Sequence, residues 1–85
     1  MLQYNWVIKL EKVKNNLLQW RQKLGYKFAK DFAEYLDVGY VSYIQWETNT
    51  VQISLEKLIH IWKKLKTDHC PELNMEDLLD LRDDK

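Results

Sequence analysis

The sequence predicts a compact all-α domain of five short helices, and three observations carry that prediction. Apolar residues recur at three- and four-residue spacings over most of the 85 positions. Only two Gly and one Pro are present, too few turn residues for an all-β sandwich. Gly39, Ser54 and Asn74, all residue types that open helices, stand directly ahead of three of the apolar runs.

The first segment carries two patterns. Trp6, Leu10, Val13, Leu17, Trp20 and Leu24 follow a 4-3-4-3-4 spacing that places them on one helical face. Leu2, Tyr4, Trp6, Ile8 and Leu10 also alternate with mostly polar neighbours, as a half-buried strand would. The favoured reading is a helix over residues 12–24, ended near Gly25, with residues 2–10 an extended arm or a helical extension.

A second helix is expected over residues 28–36, with Phe28, Phe32, Ala33 and Leu36 on one face. Asp37 then leads through Val38 to Gly39, a permissive N-cap for a third helix over residues 40–47. Val38 and Tyr43 fit the two positions of a hydrophobic staple. So short a link between two helices is the spacing of a helix-turn-helix. Residues 48–53 read as a polar loop. Ser54 caps a fourth helix over residues 55–65 that buries Leu55, Leu58, Ile59, Trp62 and Leu65, with Ile53 and Leu58 as its staple. Pro71 breaks the chain. Asn74 caps a last helix, with Asp77 bonding back to it, Leu73 and Leu78 as staple, and Met75, Leu78, Leu79 and Leu81 as its apolar face.

This length allows one domain. Residues 1–12 read as an N-terminal extension, 13–81 as the domain and 82–85 as an acidic tail. Lys+Arg and Asp+Glu are both 13, and the formal net charge is zero, which excludes a generally basic coat for nucleic acid. The balance hides a gradient. Residues 1–30 hold seven basic residues against one acid, Glu11, a net of +6, and residues 31–85 hold six against twelve, a net of −6. Such asymmetry points to a polyanion on one side and self-association or a basic partner on the other. One Cys excludes an intrachain disulfide and a multi-Cys zinc site. No apolar run approaches a membrane span and no signal peptide is visible, so a cytoplasmic protein is expected. His60, His69 and Cys70 lack a fourth ligand and an orienting group, so neither a metal, a cofactor nor an enzyme is expected. Four Trp, five Tyr and two Phe are a heavy aromatic load, most of it assigned to the core.

Four pieces in order carry a family resemblance: NNLLQWRQKLG at 15–25, KDFAEYLDVGYVSYIQWE at 30–47, SLEKLIHIWKKL at 54–65 and NMEDLL at 74–79. On these, residues 15–79 resemble the Cro/lambda-repressor-like (XRE) helix-turn-helix family. The resemblance implies a five-helix DNA-binding domain with the helix-turn-helix at helices 2 and 3, and a sequence-specific transcriptional regulator of double-stranded DNA. Ala33 stands where two helices would cross closely. Arg21 and Glu47 fall at positions that the family pairs in a salt bridge between helix 1 and the end of helix 3.

The resemblance also implies base reading from the major groove by Gly39, Tyr40, Val41 and Gln45. Gln pairs bidentately with adenine, and Val touches a thymine methyl. Phosphate contacts are expected from Lys14, Lys23, Lys27, Lys30, Thr48, Asn49 and Thr50, with the N-terminus of helix 2 contributing N–H groups. A homodimer is expected, with Trp6 and the last helix as contact candidates.

Three departures from the family pattern stand out. Lys27-Phe28-Ala29-Lys30 replaces the usual Ser/Thr-Gln at the start of helix 2. The recognition helix and its loop hold no Lys or Arg. The link over residues 66–73 is several residues longer than usual. They keep open a second function class, a helix-turn-helix used for protein contact through Tyr40, Val41 and Ile44.

Overall fold

Among the described residues the fold is built of four α-helices, one turn of 3-10 helix and a two-stranded ladder. A computed structural model describes residues 13–80. In chain order these are β1 (Lys14–Asn15), α1 (Leu17–Lys23), α2 (Ala29–Leu36), α3 (Tyr40–Glu47), α4 (Leu55–Asp68), the 3-10 turn (Met75–Leu78) and β2 (Leu79–Asp80). The expectations placed on Trp6, on residues 2–10 and on Leu81 lie outside the described residues.

The first helix is shorter than its apolar spacing suggested. Asn15 and Asn16 pull the backbone out of the helix before Leu17. The Asn15 carboxamide oxygen accepts the Leu17 N–H at 3.0 Å, and the Asn16 N–H donates to the Leu78 carbonyl at 3.0 Å. Asparagine side chains compete with helical backbone bonding in this way. Val13 therefore lies outside α1, half-buried, with its N–H on Gln52 Oε1 at 3.1 Å.

The first three helices stop by one geometry. Gly25, Asp37 and Asn49 take left-handed backbone conformations, with φ of 89°, 60° and 59°. In each case the next residue's N–H reaches five residues back: Tyr26 to Arg21, Val38 to Ala33, Thr50 to Gln45. These bonds satisfy helix-end carbonyls, and Gly, Asp and Asn are the residue types that tolerate that φ best.

α2 and α3 follow through the turn at Val38-Gly39. Ala33, 1% exposed, sits with Phe32, Leu36 and Tyr43 in the core, consistent with a close helix crossing. Phe28 departs from the expected face: it precedes α2 and is 60% exposed. In α4 the buried stripe is Leu58, Ile61 and Leu65 rather than the expected set. Leu55 is 65% exposed, and Ile59 and Trp62 are half-buried. Ile53, ahead of the Ser54 cap, is buried together with Leu58, and Leu55 falls on the flank of the stripe. Ser54 Oγ accepts the Lys57 N–H at 3.2 Å, as its position predicts. α4 runs on to Asp68, past the expected end.

The expected last helix is a single 3-10 turn. Asp77 accepts the Asn74 N–H at 3.0 Å, so the cap is present. The chain then turns extended, because Leu79 and Asp80 pair antiparallel with Asn15 and Lys14. The register joins the two ends of the described chain and encloses the helices between them. No described helix is long and apolar enough to cross a membrane.

Candidate nucleic-acid interface

α3 divides its side chains sharply. Tyr43 and Trp46 point into the core at 0% and 7% exposure. Gly39, Tyr40, Val41, Ser42 and Gln45 are exposed, with Tyr40 at 52% and Val41 at 69%. Ile44 is half-buried against the core, so it adds little to an outer surface. Val41, Gln45 and Thr48 follow one another at helical spacing on the open face. No described residue holds the Gln45 side-chain amide in a hydrogen bond.

The C-terminal end of α3 is held from two sides. Arg21 forms a fork with Glu47, Nε to Oε1 at 2.8 Å and Nη2 to Oε2 at 3.3 Å. Its other terminal nitrogen donates to the carbonyls of Tyr26 at 3.0 Å and Lys27 at 2.7 Å. One guanidinium thus joins α1, the α1–α2 link and α3. The Tyr43 hydroxyl donates to the same Glu47 oxygen. The hydrogen bond to Glu47 is the chief cause that holds the Arg21 pKa above its ordinary value, outweighing desolvation. Burial, followed by the bond to Glu47, pushes the Tyr43 phenol well above its ordinary range.

The second hold is Asn15, the buried polar residue of the described chain, at 5% exposure. Its Nδ2 donates to the Trp46 carbonyl at 2.8 Å, near the end of α3. Asn49 then pairs with the Asn15 main chain through both ends of its carboxamide. The sequence reading missed Asn15. The available signal was the Asn15-Asn16 pair interrupting an apolar helical stripe.

These bonds change the expected phosphate contacts. The Asn49 side chain is committed to Asn15. The Thr48 hydroxyl donates to the Ile44 carbonyl at 2.8 Å and lies 2.9 Å from the Thr50 hydroxyl. The loop's polar groups therefore shape the end of α3 first, although Thr48 and Thr50 remain exposed.

The lysines separate into two groups. Lys14 adjoins the clasped Asn15, and the Lys27 carbonyl is fixed by Arg21, so both flank the C-terminal end of α3. Lys30 is exposed in the first turn of α2. Lys23 lies elsewhere. Its ammonium sits 4.8 Å above the Trp20 ring, whose Nε1 donates to the Asp77 carbonyl. With Trp20, Asn16 and Cys70 it lines an open cleft of about 550 Å³ between α1 and the link after α4. Lys23 is thus not one of the groups beside α3.

Among the described residues, no group of three His, Cys, Asp or Glu side chains is arranged to hold a metal ion. His60 Nε2 lies 2.7 Å from the Leu36 carbonyl, and His69 packs edge-on against Tyr35.

Comparison of the chain with protein-family models, curated proteins and solved structures returned no match.

Proposed function

We propose that the protein is a sequence-specific DNA-binding transcriptional regulator that sets the open face of α3 into the major groove. One observation carries this reading. α3 is fastened at its C-terminal end by Arg21 and Asn15, while Tyr40, Val41 and Gln45 project outward with no structural task. A helix held rigidly at one end and open at the other suits docking of its N-terminal part against base edges. Lys14, Lys27 and Lys30 supply the phosphate attraction that α3 lacks, helped by the first N–H groups of α2.

In this reading the protein works in the cytoplasm as a homodimer on a two-fold operator. Val51 and Leu55, 42% and 65% exposed beside a small groove lined by Val13, Ile53 and Leu79, offer an apolar contact for a second copy. Light scattering at tens of micromolar should give twice the chain mass, and Leu55→Glu should give a monomer. A monomeric wild type removes this part of the reading.

The DNA reading is tested by selection from duplexes of random sequence at several salt concentrations. An enriched motif, with affinity falling as salt rises, supports it. A second reading has its own observation: the α3 face bears apolar Tyr40 and Val41 and no cation, which suits contact with another protein. No enrichment and no binding at low salt would shift the account to that reading.

A further inference from the structure

Burial alternates along the start of the domain. Asn15 is buried, Lys14 is exposed, and Val13 turns inward again to line a groove of about 150 Å³ with Ile53, Leu55, Leu58 and Leu79. Ile53 and Leu58 are buried there, whereas Leu55 stands 65% exposed beside them. The groove therefore passes from core to solvent with apolar surface left for a further side chain to cover. The chain enters it at Val13, so the residues just ahead of Val13 are its nearest occupant.

β1 distinguishes the two patterns that those residues carry. A strand continued straight back from β1 alternates faces. Glu11 and Lys9 would then fall on the inward side with Val13, and Leu10, Ile8 and Trp6 on the outward side with Lys14. That course sets charges against an apolar groove and turns the apolar side chains to solvent. A helical course does the reverse. Trp6 and Leu10 stand four apart on one side, Leu10 lies within a turn of Val13, and Ile8 faces away. Lys9 falls on the flank, where its stem can lie along the surface with the ammonium in water. The Val13 N–H donates to Gln52 Oε1 at 3.1 Å, which marks where such a helix gives way to β1.

We infer that residues 2–12 take a helical course and seat Leu10 in this groove of their own chain, against Val13, Leu55 and Leu79, with Trp6 one turn further out. The own chain is the occupant because only Glu11 and Lys12 separate Leu10 from Val13. So short a tether acts as a local concentration of about millimolar or more. A second copy at micromolar concentration competes poorly for the groove itself, and meets instead the outer side of Val51 and Leu55. The docking does not depend on the DNA-binding reading.

The test compares Leu10→Ala with Ile8→Ala in the full chain by urea unfolding at low and high protein concentration. Leu10→Ala should raise the unfolding constant about tenfold, the worth of one largely buried leucine side chain. Ile8→Ala should change it by less than about twofold, as a surface substitution does. Both results should be the same at the two concentrations. In the wild-type chain, nuclear Overhauser contacts are expected between the methyl groups of Leu10 and those of Leu58 or Leu79. Equal losses from the two substitutions would show the strand course and overturn the inference. A Leu10→Ala variant as stable as wild type, or the absence of the methyl contacts, would show that Leu10 does not fill the groove. A loss confined to high concentration would give the groove to a second copy and overturn the inference as well.

Discussion

Asn49 lends its carboxamide to Asn15 as a piece of strand: Oδ1 accepts the Asn15 N–H at 2.9 Å, and Nδ2 donates to the Asn15 carbonyl at 3.2 Å. This clasp ties the first residues of the domain to the loop that ends α3. It forms because Asn49 adopts a left-handed φ of 59°, which turns its side chain back toward β1.

Asn49→Gly keeps that backbone conformation and removes the clasp. It leaves the main-chain groups of the buried Asn15 short of partners and should destabilise the fold by about 1–2 kcal/mol. Asn49→Ala should lose about 1 kcal/mol more, because a Cβ is strained at positive φ. Urea midpoints of the two variants measure this, and a glycine variant as stable as wild type would remove the clasp from the account.

The Arg21–Glu47 fork is mostly buried, at 13% and 9% side-chain exposure. Arg21→Ala also orphans the carbonyls of Tyr26 and Lys27, so a loss of about 2–4 kcal/mol is expected, toward the lower part of the range for a fully buried pair. Arg21→Lys should recover little of it, because an ammonium lacks the planar fork. A double-mutant cycle with Glu47→Gln reads the coupling, and additive losses would mean that the two side chains act independently.

Alkaline pH should unfold the protein through Tyr43. Its folded pKa lies above the ordinary value near 10, first because of burial and then because of the Glu47 bond. A raised pKa gives stability that is fully present below the unfolded pKa and is lost as pH rises beyond it. From about pH 10 upward each further unit should remove up to about 1.4 kcal/mol on account of this one proton. Tyr43→Phe should flatten that part of the curve, and equal slopes for the two proteins between pH 10 and 11 would refute the assignment.

The caps at Gly39, Ser54 and Asn74 were legible in the sequence because capping is local chemistry within a few residues. The turn joining α2 to α3 was legible for the same reason. The pairing of Arg21 with Glu47 was accessible only through the family resemblance, since nothing local connects residues 26 positions apart. What the sequence concealed shares one cause. The partners of Asn15 lie in and just after α3, and β2 exists only because β1 lies beside it. The exchange of Leu55 for Ile61 in the core of α4 reflects an apolar run broad enough to support two faces, between which only packing chooses.

The lysines provide a prediction that separates the start of α2 from the cleft beside α1. Lys30→Ala should weaken binding to all duplexes alike and lower the slope of log affinity against log salt by about one. Lys23→Ala should leave that slope unchanged, because its ammonium stands over Trp20 at the cleft between α1 and the link after α4. Fluorescence anisotropy across a salt series measures both, and equal slope changes would contradict this division of the charges.

Contact between the open face of α3 and duplex DNA, as proposed above, would be read residue by residue from amide chemical shifts during titration with a duplex at low salt. The largest shifts are expected at Gly39, Tyr40, Val41 and Gln45, with smaller ones at Lys27 and Lys30. A titration that leaves the α3 amides unmoved, or that moves only residues around Val51 and Leu55, would contradict it.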